Sequence, residues 1–162
     1  MTEAFSEKID RPSTAVNGPV SHAIFRVARL HRMLAGALLR EVGLYPGQEL
    51  VMMQLWETGA QRQADLAKVL GSDAATMTRT IQRLEKSGFV RRSPDPSDKR
   101  ASLVEPTAAS QVLRRQVEEV WSRLERLTVG DADPDRQAQI LEQMLALEST
   151  LLAAADSVRS LD

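Results

Sequence analysis

Residues 61–106 read QRQADLAKVLGSDAATMTRTIQRLEKSGFVRRSPDPSDKRASLVEP, and the fold is decided there. Helical periodicity predicts a short helix over Gln61–Leu70, with Ala64, Ala67 and Leu70 turned inward. Gly71 follows where a helix end wants a left-handed residue, and Ser72 stands ready to cap a second helix reaching Ser87. At about 100° per residue, Met77, Ile81 and Leu84 share one side of that second helix. Ala75, Arg79, Gln82, Arg83 and Lys86 fall on the opposite side, with Thr76 and Thr78 on the flanks. After Gly88, Phe89–Arg92 reads as a strand and Ala101–Val104 as the returning strand. Between them Ser93–Asp98 reads as a turn-rich tip, because two prolines do not suit the middle of a sheet. Two short helices and a hairpin make a helix-turn-helix with a wing.

The flanks are helical. Val27, Leu30, Leu34, Leu38 and Val42 recur at three- and four-residue steps and predict a long helix over Ser21–Val42. A helix over Pro46–Glu57 follows, with proline in its first turn and Leu50, Met53, Leu55 and Trp56 as its apolar side. Gly43 and Gly59 end these two helices. Beyond the wing, Leu113, Val117, Val120, Leu124 and Leu127 form a heptad-like stripe. After an Asp133-Pro134 start signal, Ile140, Met144, Leu147 and Leu151 form another. Such stripes suit helix–helix seams, either inside one chain or between two copies. The expected class is mainly α: six helices and a small two- or three-stranded β wing. Residues 1–19 read as a mobile arm, rich in turn formers such as Pro12, Asn17, Gly18 and Pro19.

Composition narrows the function. With 43% hydrophobic but only 4% aromatic residues over 162 positions, the core is aliphatic and suits helices. The absence of cysteine excludes disulfides, thiolate redox switches and cysteine-held zinc or iron–sulfur centres. Met33–Leu39, an apolar run bounded by Arg32 and Arg40, is too short to span a bilayer, and the first residues lack a secretory apolar core. A cytoplasmic location is expected. No phosphate loop, nucleophile elbow or zinc-protease motif occurs, so neither an enzyme nor a cofactor is expected. His22 and His31, nine residues apart, are too distant to chelate one metal together and read as ordinary polar residues.

Charge is distributed unevenly. Between Ala60 and Val104 nine Lys/Arg stand against five acids, a surplus of four, while the whole chain carries −1. A basic module in an acidic frame is the footprint of a face that meets phosphates. The outward set of the second helix suits a major groove: Ala75 permits close approach, threonine hydroxyls reach phosphates or base edges, and Arg79 is placed for bidentate contact with guanine. The bland alternative is a solvated helix face. Arg91, Arg92, Lys99 and Arg100 around the tip suit a minor groove or the flanking backbone, and Asp98 is spaced to orient Arg100. The expected DNA-contacting set is Arg62, Gln63, Ser72, Ala75, Thr76, Thr78, Arg79, Gln82, Arg83, Lys99 and Arg100. A protein-interaction adaptor using the same basic face is the alternative.

These motifs resemble the MarR family of bacterial regulators. The resemblance rests on Pro46-Gly47-Gln48, on Gln63-Ala64-Asp65-Leu66-Ala67, on Thr76 through Glu85, on Ser87 through Arg92, and on Asp95 through Arg100. It implies a homodimer on a pseudo-palindromic double-stranded operator, acting as a repressor. Residues 20–45 and 106–162 would form the dimerisation region and 46–105 the winged lobe. It places Thr76 and Arg79 at bases and Arg100 at the minor groove beside Asp98. It also implies a small aromatic or phenolic effector. His22, Arg26, Arg29, Met52 and Trp56 are the candidate pocket for it, although Met33, Met52, Met53, Trp56 and Trp121 also read as plain core. Tyr45 departs from the threonine common in the family, and Pro106 and Ser110 replace a leucine and a glycine, leaving the junction after the wing undefined.

Overall fold

A computed structural model describes residues 12–159. Most of the expected arm therefore lies outside the described residues. What is described of it is a 3-10 turn at Ser13–Ala15 and the start of the first helix. Among the described residues the elements are α1 (Pro19–Glu41), α2 (Gln48–Thr58), β1 (Gln61–Arg62), α3 (Gln63–Val69), α4 (Ala74–Lys86), β2 (Val90–Asp95), β3 (Asp98–Pro106), α5 (Ser110–Val129) and α6 (Pro134–Arg159). The chain divides into two compact units, residues 1–124 and 125–162.

The first unit is built around one aliphatic core. Leu38 and Leu39 of α1, Val51, Met52 and Leu55 of α2, Leu66 of α3, and Met77, Ile81 and Leu84 of α4 meet Val90, Val104 and the Leu113–Val117–Val120–Leu124 stripe of α5. The α4 stripe and Leu113, Val117, Val120 and Leu124 of the α5 stripe are buried as their spacing predicts, whereas Leu127 is exposed. The inward sides of α2 and α3 differ from expectation. Val51 and Met52 are buried while Leu50 and Met53 are exposed, and Leu66 is buried while Ala64 is exposed. Packing against the core settles which side of each helix is buried, and each helix also begins later than its pattern suggests. Pro46 is not in the first turn of α2 but in the preceding turn. Gly47 adopts φ +95°, and α2 starts at Gln48. Two side chains reach back over that start: Tyr45 N–H donates to Gln48 Oε1 at 2.8 Å and Gly47 N–H donates to Glu49 Oε2 at 2.7 Å. Such capping satisfies donors that a helix start leaves unpaired.

Gln61 and Arg62 are not helical. They form a short strand that pairs antiparallel with β3, Gln61 opposite Val104 and Arg62 opposite Leu103. The sheet order is β1-β3-β2, so β2 is an edge strand. That position explains why Pro94 sits within β2, opposite Ser102, contrary to the turn expected there: an edge strand tolerates a missing N–H. Pro106 likewise ends β3, opposite Val90, and the connection between the strands shrinks to Pro96-Ser97. Asp73, one residue beyond the expected Ser72, caps α4 by accepting Thr76 N–H at 2.8 Å. At the other departure from the family pattern, Ser110 is fully buried. Its hydroxyl donates to the Thr107 carbonyl at 2.7 Å and accepts from Trp56 Nε1 at 3.0 Å, tying α5 to α2.

In the second unit, Gly130 (φ +58°) ends α5 and Asp133 starts α6, accepting Arg136 N–H at 2.8 Å. Leu141, Met144, Leu145, Leu151 and Leu152 of α6 remain exposed in the single chain. Ile81→Ala should lower the unfolding free energy by about 2–5 kcal/mol in urea titrations, because a fully buried side chain leaves a cavity. Val69→Ala, at an exposed position, should stay within about 0.5 kcal/mol of the parent.

Candidate nucleic-acid interface

Burial of Met77, Ile81 and Leu84 orients α4. Each is 2% exposed or less, so the opposite side of the helix faces solvent. Ala75, Thr76, Arg79, Gln82, Arg83 and Lys86 are all exposed there, and Thr78 is half-buried on the flank. Arg79 Nη2 donates to Thr76 Oγ1 at 3.2 Å, so the two residues expected at bases stand side by side. The carboxyl of Asp73 lies below its usual range, first because it accepts the Thr76 N–H. The start of α4 thus holds a stable negative cap beside the face.

Part of the expected contact set is committed to holding the lobe together. Gln63 Nε2 donates to Thr78 Oγ1 at 2.7 Å, and Gln63 Oε1 accepts from Arg92 Nη2 at 3.2 Å. Arg92 also faces Glu85, with Nε 3.6 Å from Oε2. This relay links α3, α4 and β2. Arg62 belongs to the wing. Its Nε donates to Asp95 Oδ2 at 2.7 Å, and the Asp95 side chain is only 7% exposed. Asp95 Oδ1 accepts from the Ser97 N–H at 2.8 Å and from the Ser97 hydroxyl at 2.7 Å. Those Ser97 bonds, followed by Arg62, pull its carboxyl down to about 2. Asp98 meets Arg100 through the main chain, accepting its N–H at 3.0 Å, rather than through the guanidinium. Its other oxygen lies 4.0 Å from Arg62. Arg100 is exposed, the Lys99 side chain lies outside the described residues, and Ser72 is half-buried beside the α4 start. Sequence reasoning missed Asp95. Its sign is an acid inside a basic hairpin, adjacent to the turn it would brace.

A cavity of about 530 Å³ opens among α1, α2 and α5. Ala28, Ala35, Leu39, Leu50, Val120 and Trp121 supply apolar wall, and His31, Arg32 and Glu49 supply polar groups. Glu49 is buried, and burial pushes its carboxyl up. The expected pocket residues are elsewhere. Met52 lies fully in the core. Trp56 borders a separate groove with Met53 and Trp121. Arg29 borders a shallow cleft with Phe25 and Met33. His22 and Arg26 are not among the residues lining either space. The reason is helical phase: the α1 face toward the cavity carries positions 28, 32, 35 and 39, and positions 22, 26 and 29 lie off that stripe.

A helix-turn-helix whose second helix turns a polar face to solvent, followed by a basic β2–β3 hairpin that β1 extends to three strands, defines a winged helix-turn-helix protein. The MarR family model matches residues 44–102. The chain is 33% identical over 124 residues to the uncharacterized HTH-type transcriptional regulator YwoH of Bacillus subtilis, covering 76% of this chain and 90% of that one. The chain therefore belongs to the MarR family of transcriptional regulators. It is also 25% identical over 140 residues to the HTH-type transcriptional repressor NicR of Pseudomonas putida, covering 86% of this chain and 89% of that one. Among solved structures, a mutant E. coli MarR complexed with operator DNA superimposes with a TM-score of 0.75 at 22% identity, covering 85% of this chain and 99% of that one. Among the described residues no helix is long and apolar enough to cross a membrane.

The Asp95 clamp has a pH signature. Because its folded-state carboxyl is depressed, its stabilisation of the wing is complete above the ordinary aspartate value of about 3.9 and is lost as pH falls from there toward about 2. Carboxyl NMR should give Asp95 a midpoint near 2, rising in a Ser97→Ala variant. A midpoint at the ordinary aspartate value would contradict the clamp.

Proposed function

We propose that this chain is a sequence-specific DNA-binding repressor that grips a pseudo-palindromic operator as a homodimer. The single observation that carries this reading is the exposed Thr76–Arg79 pair on a helix whose other side is locked in the core. Arg79 would read a guanine edge in the major groove, with Ala75 admitting the helix close to the bases and Gln82 and Arg83 beside it. Arg100 on the wing would reach the adjacent minor groove or backbone, and Asp98 would hold its main chain. Arg62, Gln63 and Thr78 contribute by fixing the relation of wing to helix before they contribute by contact. The E. coli MarR bound to operator DNA supports the choice of ligand, and the Pseudomonas relative, a repressor, supports the direction of control.

The dimer reading assigns residues 20–45 and 106–162 to association and 46–105 to the DNA-binding lobe. It is supported by apolar side chains left exposed in one chain: Val20, Phe25 and Val27 on α1, and Leu141, Leu145 and Leu152 on α6. A soluble chain rarely leaves so many exposed without a partner surface. Two recognition helices would then enter successive major grooves, with half-sites about 10 bp apart centre to centre. Blocking polymerase is the simplest consequence. The cavity supports a small aromatic effector, since its volume and mostly apolar wall suit one ring stacked near Trp121. A ligand that fits one spacing of the dimer's two lobes would shift the population away from the DNA-competent state.

Selection from a random duplex library tests the whole reading. A two-fold symmetric consensus is expected, and no enrichment over input would overturn it. With the selected duplex, Arg79→Ala should lose about 1–3 kcal/mol of binding and blur the preference at one base position. Equal affinity of parent and variant for selected and scrambled duplexes would refute the role given to Arg79.

A further inference from the structure

We infer that Tyr45, in the turn between α1 and α2, is a positioning residue for Arg83 on α4. Its ring would hold the guanidinium in place for a DNA phosphate. The inference rests on the DNA-binding reading above and adds a residue outside the helix-turn-helix to it.

The geometry is direct. The Arg83 guanidinium carbon lies 5.6 Å from the centre of the Tyr45 ring, within the range of a cation–π contact. The backbone that carries the ring is fixed, while the ring itself is exposed and within reach of Arg83. Tyr45 N–H donates to the buried Gln48 side chain, and the Tyr45 carbonyl accepts Gln48 N–H at 3.0 Å. Leu44 before it is 1% exposed and locked in the core. Arg83 is otherwise uncommitted. Arg62, Arg91 and Arg92 are paired with Asp95, Glu105 and Glu85, whereas Arg83 forms no ion pair among the described residues. A guanidinium stacks through its face and donates through its edge. The ring can therefore orient Arg83 while leaving every N–H free for phosphate oxygens. A free arginine gives up rotamer freedom on binding, and a platform lessens that loss.

A double-mutant cycle on the duplex recovered by selection tests this. Tyr45→Ala should weaken binding about 2–5-fold, the range of an exposed cation–π contact. Tyr45→Phe, which keeps the ring, should bind like the parent. In an Arg83→Ala background, Tyr45→Ala should change nothing further. Arg83→Ala should lower the salt slope by about one, and Tyr45→Ala should leave the slope in place. Losses that multiply independently, or a Tyr45→Ala protein with parental affinity, would overturn the inference. A readout without DNA separates it from the wider proposal. In the free protein the δ-methylene protons of Arg83 should show a ring-current shift that Tyr45→Ala abolishes, and its absence in the parent removes the contact. If the parent shows that shift yet ignores duplex DNA, the DNA reading falls, and the positioning role falls with it, while the contact stands.

Discussion

One helix held by three buried side chains governs the rest of this molecule. Met77, Ile81 and Leu84 are sealed into the core of the first unit, and that burial alone decides which way Thr76, Arg79 and Gln82 point. The energetic logic is lopsided. Burying the apolar stripe is worth several kcal/mol in total, whereas the outward residues contribute little to stability. Function can therefore change on the outer face without unsettling the fold.

Electrostatics around that helix separate structural cations from available ones. Arg62, Arg91 and Arg92 are matched to Asp95, Glu105 and Glu85, so part of the basic surplus of residues 60–104 goes into holding the wing and helix in register. Arg79, Arg83 and Arg100 are exposed and face no carboxylate in an ion pair among the described residues. A net charge count over the module sees both groups alike. Only their partners distinguish an arginine that braces the protein from one that can meet a phosphate.

The cavity illustrates the same division. Its aromatic and apolar wall comes from the neighbouring helices α1 and α2 and from the distant α5, and its acid, Glu49, is a residue that first serves the start of α2 by accepting Gly47 N–H. Whatever occupies the space lies against Pro46 and Gly47, and Pro46 directly follows Tyr45, whose ring faces Arg83 of α4.

The order of the helices and the wing hairpin, the buried stripe of α4 and most of that of α5, the glycine stops and the polar face with Thr76 and Arg79 were legible in the amino-acid sequence, because each follows from periodicity within a few turns of chain. The inward sides of α2 and α3 were misjudged because the core they pack against is assembled from distant segments, and their starts were misjudged because they depend on Gly47 in a left-handed turn and on Gln61 and Arg62 pairing with β3, some 40 residues away. Proline was barred from the sheet, yet Pro94 is admitted because β2 turned out to be an edge. Long-range packing alone established that Asp95 clamps Arg62, that Ser110 receives Trp56, and which face of α1 borders the cavity. Those are contacts between residues far apart along the chain, and local pattern carries no information about which distant side chains will meet.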